Sequence, residues 1–529
     1  MGAGGFVDVE DMAREGQTVM DLVPKLDKPW FRYGHLLKLN MLMFAPILTQ
    51  ITSGYDGSMM NGLQSIENWQ EYFDHPQGHR LGTMSNGLII GALITTPFLS
   101  YLIEYLGRKR PVIIGSMIMI LGAGLQAGSR NFSMFLGSRI ILGIGNTITS
   151  ASAAVYLTEC GYPTHRPTLT SIYQCGWPMG SFVAALVTWG PYNSPSMVKS
   201  TWSWRLPSLL QGFFPLVVCV LMFFGPESPR WLISKGRHEQ ALDFFTKYQG
   251  AGDPTSALVQ FQMAEISATL EAEKAQKMSR WAEWWSSKAM LHRLFITVAL
   301  PMFIQLCGNA IISYYLHLIL NSIGITDAIT QLKLNLGINA FGLAWDMVFA
   351  NLVYKLRRKL LLMGGFGLCC LCFTIFTVLA AINTQRNFED KSLGYGGVVM
   401  IFAFQGVYHI ASPVIPTYVM EIAPFSLRAK AAVIRELATG GISFFNNYVN
   451  PVAMKAIDWK YYIVYDVWLV VQITIVYFFF PETYKMGLEE IARVFGDELI
   501  RGNDTAEKHK QLNLLPSEKD ETTIHVEKV

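Results

Sequence analysis

Apolar stretches long enough to cross a bilayer recur along the chain, separated by short polar turns, and this repetition limits the fold more than any single motif. A helix needs about 20 predominantly apolar residues to span the hydrocarbon core of a membrane. Such stretches fall near 39–63, 82–105, 111–129, 134–157, 169–192 and 207–225. Six more fall near 291–320, 333–354, 360–382, 395–420, 429–453 and 461–480. Lipid offers no hydrogen bonds to the backbone, so each stretch is read as a helix that satisfies its own N–H and C=O groups. Composition agrees: only 15% of the 529 residues are charged, against about 25% in a typical soluble chain.

The expected fold is all-α and integral to the membrane, with twelve transmembrane helices in two pseudo-symmetric six-helix bundles. Its parts are an N-terminal segment 1–38, a first bundle 39–225, a polar linker 226–290 with short helices, a second bundle 291–480, and a charged tail 481–529. Residues Met1 to His35 carry no apolar core of a cleavable signal, so the first span is expected to serve as its own insertion signal. An internal repeat supports the division. Tyr156, Glu159, Pro163 and Arg166 follow span four with the spacing of Tyr418, Glu421, Pro424 and Arg428 after span ten. Gly107-Arg108-Lys109-Arg110 follows span two as Arg357-Arg358-Lys359 follows span eight, and Pro226-Glu227-Ser228 closes span six as Pro481-Glu482-Thr483 closes span twelve. These basic residues share one side, which the positive-inside tendency assigns to the cytoplasm, and an even span count puts both termini there. The seven cysteines lie mostly within apolar runs, without metal-ligand spacing, and read as small apolar residues.

These blocks resemble the sugar porter family of the major facilitator superfamily from about residue 40 to 495. Among them are Gly54-Tyr55-Asp56-Gly57, Gly107-Arg108-Lys109, and Pro226-Glu227-Ser228-Pro229-Arg230-Trp231-Leu232. Gln305-x-x-Gly308, with Tyr314-Tyr315 downstream, Glu421 to Lys430, and Pro481-Glu482-Thr483 complete the set. Asn446-Asn447-Tyr448-Val449-Asn450-Pro451 further resembles the fungal lactose/cellodextrin permease branch. The resemblance implies a secondary transporter that moves a disaccharide or hexose by alternating access, as a sugar/proton symporter in the plasma membrane. It implies a proton as coupling ion with no resident cofactor, lipid and a small sugar as partners, and neither nucleic acid nor an obligatory protein partner. A facilitative uniporter, a sugar-sensing receptor and a fungal metabolite exporter share the fold and stay open. No nucleophile–base or metal set points to an enzyme.

The residues make chemical sense beside the resemblance. An acid inside a span is costly and marks function; Asp56 lies in the first apolar run between Gly54 and Gly57 and is the candidate proton carrier. A sugar needs directional hydrogen bonds and a flat apolar face, which amide and aromatic side chains supply without a charge to desolvate. Gln174 and Gln305 match positions that hold hydroxyls in similar porters, Tyr314 and Tyr315 match the aromatic pair bounding the site, and Trp177 lies one turn after Gln174. The family's usual asparagine two residues after the glycine of span seven is Ala310 here, and the asparagine is displaced to Asn309; Ile304 replaces a second glutamine, and Pro413 and Pro416 interrupt span ten. These departures point to a reshaped pocket.

Arg108, Glu159, Arg166 and Glu227, with their counterparts Arg358, Glu421, Arg428 and Glu482, are expected to form gating ion pairs at the cytoplasmic helix ends. Because Tyr354 and Arg357 replace an acid and a glycine, the second network is expected to be the weaker. Of three further intramembrane acids, Asp346 can face the cavity, Glu436 adjoins Arg435 as a local pair, and Asp466 reaches the interface. Gly143-Ile144-Gly145 reads as a helix-packing element, and Asn131-Phe132-Ser133 as a glycosylation sequon in a short outer loop.

Overall fold

The computed structural model describes residues 19–20, 22–24 and 27–496, leaving out 193, 276–280, 353–355, 389, 413, 425–426, 485 and 487. Tyr354, Pro413, the first 18 residues and the tail from 497 therefore lie outside the described residues. Among those described the chain is helical, with no strand. The long helices of the first half are α1 (Gly34–Gln64), α2 (His79–Leu106), α3 (Lys109–Ala127), α4 (Phe132–Cys160), α5 (Arg166–Tyr192) and α6, which runs as Trp202–Leu210 and Phe213–Phe224. In the second half α7 runs as Lys288–Gln305 and Asn309–Ser322, followed by α8 (Ala328–Leu352) and α9 (Arg358–Gln385). The last are α10, as Lys391–Ala411 and Val414–Ile422, α11 (Arg428–Ile457) and α12 (Tyr461–Phe479).

Nine helical stretches among the described residues are apolar enough to cross a membrane by length and composition alone. One of them, Lys430–Phe479, holds both α11 and α12, while α5 and α8 are missing. Those two fall short because they carry inward-facing polar side chains, Gln174 and Ser181 on α5, and Asn335, Asn339 and Asp346 on α8. A helix buried at the centre of a bundle can afford a polar stripe that a lipid-facing one cannot. The outer faces are the reverse: Phe98, Tyr101, Phe223, Phe224, Leu371 and Phe478 are all more than half exposed.

The halves meet along α1–α7, α2–α11 and α5–α8. Each has its own apolar core, built in the second half around Phe303, Phe366, Phe373, Phe376, Tyr462 and Leu469. Within the first half α1 and α5 touch backbone to backbone, since a Cβ on Gly54 would lie 1.9 Å from the Trp177 carbonyl oxygen. Close approach through small residues is how helices gain packing energy where lipid provides no hydrophobic drive. Gly143 lies against the backbone of Leu88 in the same way, as expected of the Gly143–Gly145 element. The linker is docked: helix His238–Tyr248 buries Phe244 and Phe245 in the core that also holds Leu36 and Leu39 of α1. Trp231 Nε1 donates to the Glu104 carbonyl at the end of α2, 2.9 Å away.

Candidate functional site

A cavity of about 630 Å³ lies between the halves at mid-height, a size within the usual range for small-molecule sites. Gln50 of α1, Gln174 and Trp177 of α5, Gln305, Asn309 and Tyr314 of α7, Asp346 of α8, and Gln405, Tyr408 and His409 of α10 line it. No Lys or Arg is among the described lining residues.

The break in α7 shapes one wall. Gly308 has φ +102, in the left-handed region, and a Cβ there would lie 2.7 Å from the Phe373 ring. Only glycine takes that angle at little steric cost. The turn sets Gln305 at the end of one half-helix and Asn309 at the start of the next, both facing the cavity. It also frees the Gln305 carbonyl, which accepts from Asn446 Nδ2 at 2.6 Å. Asn446 is part of the asparagine-rich block singled out in the sequence, and that block braces the break. The Tyr465 hydroxyl donates toward Asn446 Oδ1 at 2.9 Å and Asn450 Oδ1 at 2.7 Å, while Tyr461 donates to Asn450 Oδ1 at 2.9 Å.

A second irregularity seals the end of the cavity away from the basic loops. Tyr315 leaves helical geometry at φ −136, ψ 31. Asn61 of α1 inserts at this point: its Oδ1 accepts from Leu316 N at 3.0 Å, and its Nδ2 donates to Ile312 O at 3.4 Å and Asn335 Oδ1 at 3.1 Å. One carboxamide thus stands in for the backbone bond that the kink removes and ties the two halves together. Gln64 Nε2 donates to Tyr314 O at 2.8 Å, Asn86 Nδ2 to Phe444 O at 3.1 Å, and Ser181 bonds Asn339 across the α5–α8 seam. All of these bonds lie on the side of the cavity away from the basic loops.

Asp56 does not line this cavity. It is fully buried in α1, with Arg139 of α4 and Gln211 as polar neighbours. Arg139 is itself buried, and its Nη1 donates to the Asp56 backbone carbonyl at 3.4 Å. Tyr315 is also withdrawn: it is buried and donates its hydroxyl to Asn447 O at 2.5 Å. The expectation that it bounds the sugar site is therefore corrected for this conformation, because the kink turns it away from the face that carries Tyr314. Gln174, Trp177, Gln305, Asn309 and Tyr314 do come together in the cavity wall.

At the basic end the two halves repeat one another bond for bond. Arg108 Nη2 donates to Glu159 Oε1 at 2.9 Å, and Glu159 also accepts from Ser228. The backbone N–H groups of Arg108, Lys109 and Ser228 converge on Glu227 Oε1 at 2.9, 3.0 and 2.9 Å. In the second half Arg358 Nη2 donates to Glu421 Oε1 at 3.0 Å and Thr483 Oγ1 to Glu421 Oε2 at 2.6 Å. Arg358 N donates to Glu482 Oε1 at 2.9 Å and Lys359 N to Glu482 Oε2 at 3.2 Å. Tyr156 and Tyr418 donate to the Pro226 and Pro481 carbonyls at 3.0 and 2.6 Å. The second network is thus not the poorer one that the sequence led us to expect. Arg357 reaches the same start of helix from extended backbone, φ −65, where Gly107 uses φ +94. All these pairs join helices of one half. Arg166 Nε and Arg428 Nε donate to the carbonyls of Gly161 and Ala423 at 3.0 and 3.4 Å, closing the turns after α4 and α10.

Of the three remaining acids, Asp346 meets His409 in the cavity wall, Glu436 pairs with its neighbour Arg435, and Asp466 accepts from Thr374 Oγ1 at 3.2 Å between α9 and α12. Asn131 caps α4, its Oδ1 accepting from Met134 N at 2.8 Å. Sequence reading passed over Arg139, Asn61, Gln405 and His409. Arg139 was findable as a charge inside an apolar run, and Gln405 with His409 as a polar pair one helical turn apart within span ten.

Comparison with known proteins agrees with this architecture. A family model described as "Sugar (and other) transporter" matches residues 42–495. The MFS-type transporter oryC of Aspergillus oryzae is 31% identical over 470 residues, covering 85% of this chain and 83% of the relative. A high-affinity glucose transporter of Kluyveromyces lactis is 26% identical, with 88% and 87% covered. A probable quinate permease of Aspergillus flavus is 25% identical, with 91% and 92% covered. Among solved structures, the inward open conformation of the xylose transporter XylE from E. coli superposes with a TM-score of 0.70 at 20% identity, covering 86% of this chain and 99% of that one. The chain is therefore a multi-pass membrane transporter with the twelve-helix fold, and it belongs to the sugar porter family of the major facilitator superfamily.

Proposed function

We propose that the protein carries a sugar across the plasma membrane by alternating access, coupled to a proton through Asp56, with both termini in the cytoplasm. The observation that carries this reading is the cavity lining: among the described residues, five amide side chains (Gln50, Gln174, Gln305, Asn309 and Gln405) are interleaved with Trp177, Tyr314 and Tyr408, without Lys or Arg. Amides offer both donors and acceptors to hydroxyl groups, and aromatic faces suit the C–H surface of a pyranose. A glucose transporter among the relatives and a structural neighbour described as a proton:xylose symporter lend support.

With the basic loops in the cytosol, the Asn61 seal faces outward and the solute reaches the cavity from inside. Reversal requires the α1–α7 and α5–α8 seams to open while the two bundles rock about the site. Asp56 then becomes reachable only as its half moves, which is what a carrier of protons needs. Arg139 beside it supplies a countercharge for the ionised carboxylate. The charged networks keep each half rigid through the motion, and the gate forms where the two networks approach one another on the cytosolic side. The units that move are the bundles 39–225 and 291–480, joined by the linker 226–290.

The test is uptake of a labelled sugar panel by cells lacking their own porters, with and without a protonophore. Concentrative uptake of one or a few sugars that collapses with the protonophore is the expected result. Uptake indifferent to the protonophore would make the protein a facilitator. No uptake of any sugar, from protein shown to reach the surface, would contradict the reading.

A further inference from the structure

Helices α8 and α10 bring a carboxylate and an imidazole together in the cavity wall. Asp346 Oδ1 meets His409 Nδ1, and His409 Nε2 lies 3.2 Å from Nε2 of Gln405, one turn earlier on α10. Gly342, one turn before Asp346, leaves room for this cluster, since a Cβ there would lie 3.1 Å from His409 Nε2 and 3.3 Å from Gln405 Nε2. With the Gln405 amide donating to Nε2, a neutral imidazole carries its proton on Nδ1, the ring nitrogen that lies beside Asp346 Oδ1. The imidazole thus packs against the Oδ1 side of the carboxylate. The carboxylate is the member presented to the cavity, with its side chain 18% accessible against 8% for His409. One oxygen faces His409; the other accepts no hydrogen bond from a described residue and has two lone pairs to offer.

The other titratable groups among the described lining residues are Cys175 on α5, Tyr314 on α7 and Tyr408 on α10. None of them is basic, so among the described lining residues His409 alone can carry positive charge. An ionised carboxylate accepts only, and its bonds from O–H donors are among the stronger neutral-to-charged contacts. A solute that brings its own carboxylate would face Asp346 with no Lys or Arg among the described lining residues to meet it.

We propose that Asp346 is a solute-binding residue that accepts from two adjacent hydroxyls, that His409 positions it, and that the transported solute is consequently a neutral polyhydroxyl compound. The inference rests on the transport reading above and refines its substrate class.

The experiment measures KM for the best transported sugar, for its singly deoxygenated analogues and for the matching uronic acid, in wild type and Asp346→Asn. Ratios within one variant do not depend on how much protein reaches the membrane. In wild type, removal of either of two adjacent hydroxyls should weaken recognition by about ten-fold or more, the scale of a hydrogen bond to a charged group. In Asp346→Asn the parent sugar should weaken to a similar degree and those analogues should lose no more. Equal analogue penalties in both proteins, or a uronic acid that competes as well as its parent sugar in wild type, would overturn the proposal. If Asp346→Asn binds too weakly to measure, Asp346→Glu decides: return of the wild-type analogue profile supports the proposal, and its absence overturns it. His409→Gln, which can still donate, should keep the wild-type profile while His409→Phe loses it; equal loss in both would overturn the positioning role. Wild-type protein at the surface that takes up no neutral sugar would instead contradict the transport reading itself.

Discussion

Gly308 holds φ +102 between two half-helices, and the amides facing the cavity, Gln305 and Asn309, stand on either side of it. Any side chain there meets both the backbone cost of the left-handed region and the Phe373 ring. Gly308→Ala should lower stability by about 1–3 kcal/mol, read as a drop in the melting temperature of the purified protein, and should weaken sugar affinity because the two amides lose their shared geometry. An unchanged melting point and KM would show that the break is not needed. Gln174, Gln305, Asn309 and Tyr314 were legible through the resemblance to sugar porters, to which the cost of an amide facing lipid adds a physical reason, and Trp177 through its place one turn after Gln174. Tyr315 was not. Successive residues on a helix point about 100° apart, so a Tyr-Tyr pair can rarely put both rings on one face, and the kink that chooses between them has no local sequence signature. Asp56 was found by its charge, yet its neighbour Arg139 carries the same signal and shows that the acid sits between helices of one half and not in the cavity.

Between elements, the α1–α7 contact depends on Asn61 filling the gap at Leu316 and Ile312. Neither helix announces this alone, since the partner groups are backbone atoms exposed by a kink in a distant span. Asn61→Leu leaves the Leu316 N–H and Ile312 carbonyl without that partner in a water-poor setting, at a cost of about 1–3 kcal/mol. That cost falls on the conformation sealed at this end, so the variant should favour opening there. The measurement is labelling of a Ser181→Cys reporter by an impermeant thiol reagent from the outside, in a background lacking the 7 native cysteines. Faster labelling than in the Asn61 parent is expected; slower or equal labelling would contradict the clamp. The hydropathy of α5 and α8 carries a related lesson. The two helices least convincing as membrane spans both line the cavity and join the halves, as the more apolar α1 and α7 also do, so a weak apolar signal is no argument against a span.

At the scale of the whole molecule, the sequence repeat predicted the pseudo-symmetry, and the structure extends it to individual hydrogen bonds at the basic ends of the halves. Glu227 gathers three backbone N–H groups and Glu482 does the same work with Arg358, Lys359, Thr483 and Tyr484. Glu227→Ala and Glu482→Ala should therefore destabilise the protein by similar amounts, about 1–3 kcal/mol each. Because the sites are separate, the double variant should be close to additive in thermal melting. A large effect in the first half with none in the second would restore the expectation, drawn from Arg357, that the second network is weak. What the sequence could not supply was the partnership within each network. Motifs far apart along the chain were recognised as charged helix ends, but only the packed bundle shows that each acid answers to its own half.

The central claim is that movement of the halves around the cavity is coupled to a proton through Asp56. Its most direct test is sugar accumulation by the purified protein in lipid vesicles under an imposed pH gradient, for wild type and Asp56→Asn. The account predicts that wild type concentrates sugar only while the gradient lasts, whereas Asp56→Asn at most equilibrates it. Gradient-driven accumulation by Asp56→Asn equal to wild type would contradict the claim.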